Sequence, residues 1–188
     1  MAKIYLFRHG QSEFNLKKIF TGWMDAKLTE LGVEQAKNLG EMLSDKKIDI
    51  AYVSRLSRAK DTLIEVLKFH PECKEMIVDD RMIERSYGAL AGLGHEETIA
   101  KYGQEQFDKW HRGWNDRPPE GECFADVEIR VQEFINDLKN KYAGQDIGIA
   151  ISAHGNSIRL FRKIMENTSP EEASGWTIPY DQYFEYEI

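Results

Sequence analysis

Apolar residues recur along this chain in two rhythms that take turns, short continuous runs and positions spaced three or four apart. Lys3 to Phe7 is a short β-rich run closed off by Gly10, and Thr29 to Leu43 then carries Val33, Ala36, Leu39 and Leu43 on one helical face. Ile48 to Val53 repeats the run, and Leu63, Ile64 and Leu67 make Ala59 to Lys68 an amphipathic helix. Ile77 and Val78 predict a third, short strand, and the glycine-rich stretch from Tyr87 to Gly94 predicts a loop. Short helices are expected over His95–Tyr102 and Gln104–Gly113. Pro118, Pro119 and Gly121 break the chain before a long helix, Phe124–Tyr142, with Val127, Val131, Phe134, Ile135 and Leu138 on its buried face. Ile147 to Ile151 is an unbroken apolar run of the kind covered on both faces of a sheet, and it leads through His154-Gly155 into a helix reaching Met165. Ser169-Pro170-Glu171-Glu172 has the form of a helix start, an N-cap followed by proline at the first position and a glutamate to complete the box. Gln182 to Ile188, rich in Tyr and Phe, suits an edge strand.

Strands alternating with helices predict an α/β layer structure with a mainly parallel sheet. The 188 residues, 41% of them hydrophobic, suffice for one ordinary core, so residues 1–188 are read as one domain. Lys and Arg number 25 against 32 Asp and Glu, a formal charge of −7 with no basic run, which argues against nucleic acid or an anionic membrane as partner. The sequence leaves a homo-oligomer open. Cys73 and Cys123 form no CxxC pair, and no apolar stretch is long enough for a signal core or a membrane span, so a reduced cytoplasmic protein is expected.

Ligands of such folds bind beyond the carboxyl ends of the strands. There the first strand delivers Arg8-His9-Gly10, the Ile48–Val53 strand leads to Arg55 and Arg58, the third leads towards Glu84-Arg85, and the Ile147 strand delivers His154-Gly155-Asn156. A parallel sheet therefore gathers two imidazoles, several guanidiniums and one carboxylate on one rim, with N–H donors from the helix starts after Gly10, Ser57 and Gly155. Such a rim is an oxyanion pocket in an acidic protein. A neutral imidazole inside it can attack phosphorus while the cations stabilise the charge in transit, and the carboxylate can move a hydroxyl proton. Two His and a Glu are also familiar zinc or iron ligands, but Arg8 and Arg58 would repel a dication and no HxH or HxxxH spacing exists.

RHGQSEFN at Arg8–Asn15, TGWMDAKLTELG at Thr21–Gly32, SRAKDT at Ser57–Thr62, ERSYGALAGL at Glu84–Leu93 and AHGNSIR at Ala153–Arg159 together resemble the cofactor-dependent phosphoglycerate mutases of the histidine phosphatase superfamily. The resemblance implies a three-layer α/β/α sandwich. It implies that His9 is phosphorylated, that Arg8, Arg58 and His154 surround the transferred group, and that Glu84 is the general acid and base. Asn15, Thr21, Gly22, Gly155 and Asn156 then match phosphate or substrate contacts, and Arg85, Tyr87 and Arg112 match residues holding the rest of the substrate. The implied reaction interconverts 3-phosphoglycerate and 2-phosphoglycerate, with 2,3-bisphosphoglycerate as primer and intermediate and no metal.

Three positions depart from the family pattern. His95 stands where the mutases have Lys, His111 where they have the first of two arginines, and Ser86 where they usually have His. Two permanent cations thus become imidazoles near their reference pKa, and the expectation is that affinity for the bisphosphorylated cofactor weakens as pH rises from 6 to 8. The stretch between Pro119 and Phe124 lacks a long insertion, and the sequence stops at Ile188 where relatives carry a mobile closing tail. Less water exclusion favours hydrolysis, so a phosphatase of small phosphoesters is the enzymatic alternative. A non-catalytic phosphometabolite-binding protein is the other, and retention of both His9 and Glu84 argues against it.

Overall fold

The computed structural model describes residues 1–188, every residue of the chain. Five strands, β1 (Lys3–Arg8), β2 (Ile50–Val53), β3 (Glu75–Val78), β4 (Gly148–Ala153) and β5 (Tyr183–Glu187), form one sheet in the order β3-β2-β4-β1-β5. All neighbours are parallel except β5, which closes the β1 edge antiparallel. Side chains one residue apart point to opposite faces of a strand, so β1 feeds two cores at once. Ile4 and Leu6 join Ile149 and Ile151 under the long helix α6 (Phe124–Tyr142) and α7 (Gly155–Glu166). Tyr5 and Phe7 join Ala51, Val53 and Ala150 under α2 (Glu30–Leu43) and α3 (Ser57–Leu67). The result is the expected three-layer sandwich.

The sequence did not announce α1 (Glu13–Leu16), a single turn held by a reciprocal cap in which the Asn15 amide accepts from both the backbone N–H and the hydroxyl of Ser12. Four residues are too few to carry a period. The remaining helices are α4 (His95–Tyr102), α5 (Gln104–Arg112) and α8 (Pro170–Gly175), the last capped by Ser169 accepting from the Glu172 N–H. The Tyr87–Gly94 loop contains a 3-10 turn, Gly88–Leu90, and with α5 it brings Phe20, Tyr87, Leu90 and Phe107 into a small third cluster over the carboxyl end of the sheet.

One close approach sets the position of the loop after β1. A Cβ on Gly10 would lie 2.1 Å from the Gly32 carbonyl oxygen, backbone against backbone, so α2 starts hard against the residue that follows His9. The Gly10 N–H donates to the Thr62 hydroxyl at 3.0 Å, and that hydroxyl donates to the Arg58 carbonyl at 2.8 Å. The loop is tied to α2 and α3 before any ligand arrives.

Candidate active site

Strands β1 and β4 run side by side with Arg8 opposite Ala153, so each delivers its next residue, a histidine, at the same height. The His9 and His154 rings lie 5.0 Å apart, centroid to centroid. His9 Nδ1 sits 2.7 Å from the Gly10 carbonyl oxygen. A carbonyl can only accept, so Nδ1 carries the hydrogen and Nε2 the lone pair. Arg58 points its Nε–H at that lone pair from 3.3 Å, while its other nitrogens donate to the carbonyls of Met24 at 2.9 Å and Gly22 at 2.8 Å. Burial, then Arg58 and Arg8, holds the His9 imidazolium far below its usual pKa, so the ring stays a neutral nucleophile.

Glu84 lines the same cavity as His9. Its Oε1 accepts from the backbone N–H of Arg85 at 2.8 Å and of Asn156 at 3.2 Å, which leaves Oε2 to give or take a proton. Asn156 donates through Nδ2 to the Tyr87 hydroxyl at 3.1 Å and accepts at Oδ1 from Arg159 at 2.8 Å. Arg8 is steered by its bond to the Ile178 carbonyl at 2.7 Å and by the Tyr180 ring 4.1 Å beneath it. Arg8, Arg58, Arg112 and Arg159 line the cavity against the single carboxylate of Glu84. An acidic chain thus keeps a concentrated cationic pocket, of volume about 210 Å³.

Most residues singled out from the sequence meet here. Arg8, His9, Asn15, Thr21, Gly22, Arg58, Glu84, Tyr87, His95, His111, Arg112, Gly155 and Asn156 all line the cavity. His154 and Arg85 do not. His154 stands behind the nucleophile, fully buried, with Nε2 2.7 Å from the Ser54 hydroxyl and Nδ1 unpartnered. Burial, then Arg58 and His9, keeps it neutral. Arg85 lies fully buried between the rings of Tyr87 and Phe124, at 4.5 and 4.6 Å, and donates from Nη2 to the His111 carbonyl, while its Nε and Nη1 have no partner. Ile19, Phe20, Arg159, Thr177 and Ile178 also line the cavity, and apart from Arg159 no sequence signal singles them out as site residues. Arg159 was legible in part, since it follows Gly155 by one helical turn and so lies on the same face of α7.

A family model described as the histidine phosphatase superfamily (branch 1) matches residues 4–187. The chain belongs to that superfamily. It is 37% identical over 183 residues to 2,3-bisphosphoglycerate-dependent phosphoglycerate mutase 2 of Gloeobacter violaceus, covering 96% of this chain and 83% of that protein. Among solved structures it is similar to YhfR of Bacillus stearothermophilus, with a TM-score of 0.88 and 26% identity over 100% of this chain and 92% of that one. The alpha-ribazole phosphatase of Shigella flexneri shares the fold, with a TM-score of 0.86 and 24% identity over 99% of this chain and 90% of that one. No helix is long and apolar enough to cross a membrane.

The far end of this histidine phosphatase pocket corrects one expectation. The His95 and His111 rings lie 5.2 Å apart, centroid to centroid, tilted at 59°, and Phe20 and Phe107 pack on both. Burial, then the charge of Arg112, pushes His111 down to about 3, and burial with Lys18 and Arg112 lowers His95. Both imidazoles are therefore held below their usual pKa in the unliganded pocket, and His111 does not gain charge between pH 8 and 6. Burial and the charge of Arg112 lower Arg159 to about 9, and burial also lowers Arg112. Ser86, the third departure, turns its backbone N–H to Glu122 at 2.9 Å and stays out of the cavity.

Proposed function

We propose that this chain is a 2,3-bisphosphoglycerate-dependent phosphoglycerate mutase, a single cytoplasmic domain that interconverts 3-phosphoglycerate and 2-phosphoglycerate in glycolysis and gluconeogenesis. The observation that carries the reading is a neutral nucleophile, His9 Nε2, in a cavity lined also by four guanidiniums and by Glu84, whose second oxygen the backbone amides leave free. The naming of a relative 37% identical over most of the chain supports the substrate.

The residues fit a small polyanion. Arg8 lines the cavity with its Nε buried and without a partner, and Asn15, Thr21, Arg112 and Arg159 extend the donor set along it. 2,3-Bisphosphoglycerate, when bound, supplies the phosphoryl group that primes His9. Arg8 and Arg58 hold the oxygens of the transferring group, whose charge they stabilise in a water-poor site. His9 Nε2 forms the N–P bond as the P–O bond of the ester breaks, and the Glu84 carboxyl gives its proton to the departing oxygen. In the return step a substrate hydroxyl attacks the phosphorus on His9, its proton passes to Glu84, and the N–P bond breaks. Neutral His9 regains its lone pair and Gly10 keeps the ring oriented throughout.

A phosphatase acting on small phosphoesters is the second reading, and a specific observation favours it. The packed His95 and His111, whose burial disfavours the charged form, occupy positions where the mutases have cations, so the pocket grips a second anion less strongly. Phosphorus NMR of 3-phosphoglycerate, with and without trace 2,3-bisphosphoglycerate, tests both. Primer-dependent formation of 2-phosphoglycerate with little free phosphate is the expected result; free phosphate without isomerisation would replace the mutase by the hydrolase.

A further inference from the structure

Glu84 must hold its free oxygen at the ester oxygen, yet it sits on an irregular stretch between a 3-10 turn ending at Met82 and the loop that starts at Tyr87. Such a stretch has no ladder to hold it. The structure shows what does. Arg130, on the second turn of α6, donates from Nη1 to the carbonyls of Arg81 at 2.7 Å and Ile83 at 2.8 Å, and from Nη2 to the carbonyl of Glu84 itself at 3.1 Å. Its remaining two N–H groups form a bidentate pair with Glu122, each at 3.1 Å. Glu122 in turn accepts from the Ser86 N–H at 2.9 Å, and its own N–H donates to the Ser86 carbonyl at 2.9 Å. The side chains of this pair are 15% and 20% exposed, and neither lines the cavity.

All five N–H donors of Arg130 are therefore spent, none towards a ligand, and four of its partners and those of Glu122 lie within two residues of Glu84 on either side. We infer that Arg130 and Glu122 are positioning residues, an ion-paired clamp that sets the acid/base Glu84 against the reacting oxygen from behind. The inference rests on the reading of Glu84 as the proton donor and acceptor. The fork geometry matters, because a lysine keeps the charge but has three donors radiating from one point and cannot bridge three carbonyls and a carboxylate. Trp23 adds a further bond from Nε1 to the Glu84 carbonyl at 2.7 Å, so the backbone is gripped from both sides while the carboxylate is held in front by two amides.

Dependence on the leaving group reads out this role. Breaking the P–O bond of an alkyl phosphate needs a proton from Glu84, whereas an aryl phosphate such as p-nitrophenyl phosphate releases a stable anion without one. Release of the first product would be followed in the first turnover for Arg130→Lys, Glu122→Gln and Glu84→Gln, with thermal unfolding and inorganic-phosphate binding measured alongside. Expected is at least a tenfold slower reaction of alkyl phosphates in Arg130→Lys and a several-fold slower one in Glu122→Gln, with aryl release and phosphate affinity within threefold of wild type. Glu84→Gln should show the same selectivity more strongly. Equal losses on alkyl and aryl esters in both clamp variants, or no loss in either, would overturn the inference. If Arg130→Lys proves unfolded, the Glu122→Gln selectivity decides alone. The mutase reading fails separately, by absence of isomerisation in the wild-type protein, and hydrolysis of the esters still tests the clamp; a wild-type protein that turns over no ester would overturn both.

Discussion

Moving the pH through the neutral range tests the wall of packed histidines. In the unliganded pocket His111 is held at about 3, so charging it there costs about 5 kcal/mol more than charging a free imidazole of pKa about 6.5. A ligand anion within hydrogen-bonding reach returns about 4 kcal/mol at an effective dielectric constant of about 20. The two nearly cancel, which places the ring of the complex at about 6. Linkage gives the sign: ligand binding takes up a proton only between these two values, so affinity weakens about tenfold per unit as pH rises from about 3 to about 6 and is level above that. The assay is the dissociation constant of 3-phosphoglycerate from pH 5 to 8.5 for the wild type and His111→Asn. Taking their ratio cancels the ionisation of the substrate itself. The ratio should stay within about twofold between pH 7 and 8 and move only below about 6. A ratio that changes about tenfold per unit between pH 7 and 8 would mean that His111 is charged in the complex at neutral pH, and would refute the argument from burial.

Other parts of the site make separate predictions. Glu84→Gln keeps an acceptor for the Arg85 and Asn156 amides, so the fold and phosphate binding should survive while turnover of 3-phosphoglycerate falls by about 10²–10⁴; unchanged turnover would remove Glu84 from the chemistry. Arg58→Lys loses the fork that joins His9 to the Met24 and Gly22 carbonyls and should lower kcat by about 10²–10³, read from the same assay. Gly10→Ala drives a methyl into the Gly32 carbonyl and should cost at least about 1–3 kcal/mol in urea denaturation, so a wild-type midpoint would contradict the close approach. His9, His111 and His154 are buried neutral, with folded pKa values below the unfolded one. Their burial should therefore cost nothing above about pH 6.5, and stability should fall below it by up to about 1.4 kcal/mol per unit for each ring, more gently in His111→Asn.

Much of the scaffold was legible because its signals are local. The helix Phe124–Tyr142 has the bounds its apolar spacing predicts, since i, i+3 and i+4 neighbours meet whatever the rest of the chain does. The strand ends were equally plain: an apolar run followed by His-Gly, twice, in an α/β chain places two imidazoles on one rim once the sheet is parallel. What local pattern cannot hold is the environment of a side chain, because that is built by residues distant in sequence. His111 looks like a titratable ring until Phe20, His95 and Phe107 close around it. His154 and Arg85 stand in motifs beside residues that line the cavity, yet packing turns both away from it, and the same packing turns Arg159 in. Arg130 carries no signal in the local pattern, and only the passage of residues 81–86 across the start of α6 gives three of its five donors their carbonyl partners, Glu122 taking the other two. Sequence alone determined which elements form and which reactive groups share the rim, because short-range spacing and strand direction suffice for that. Tertiary structure decided their charge states, their orientation and the residues that hold them, because burial and hydrogen-bond geometry exist only after distant segments meet.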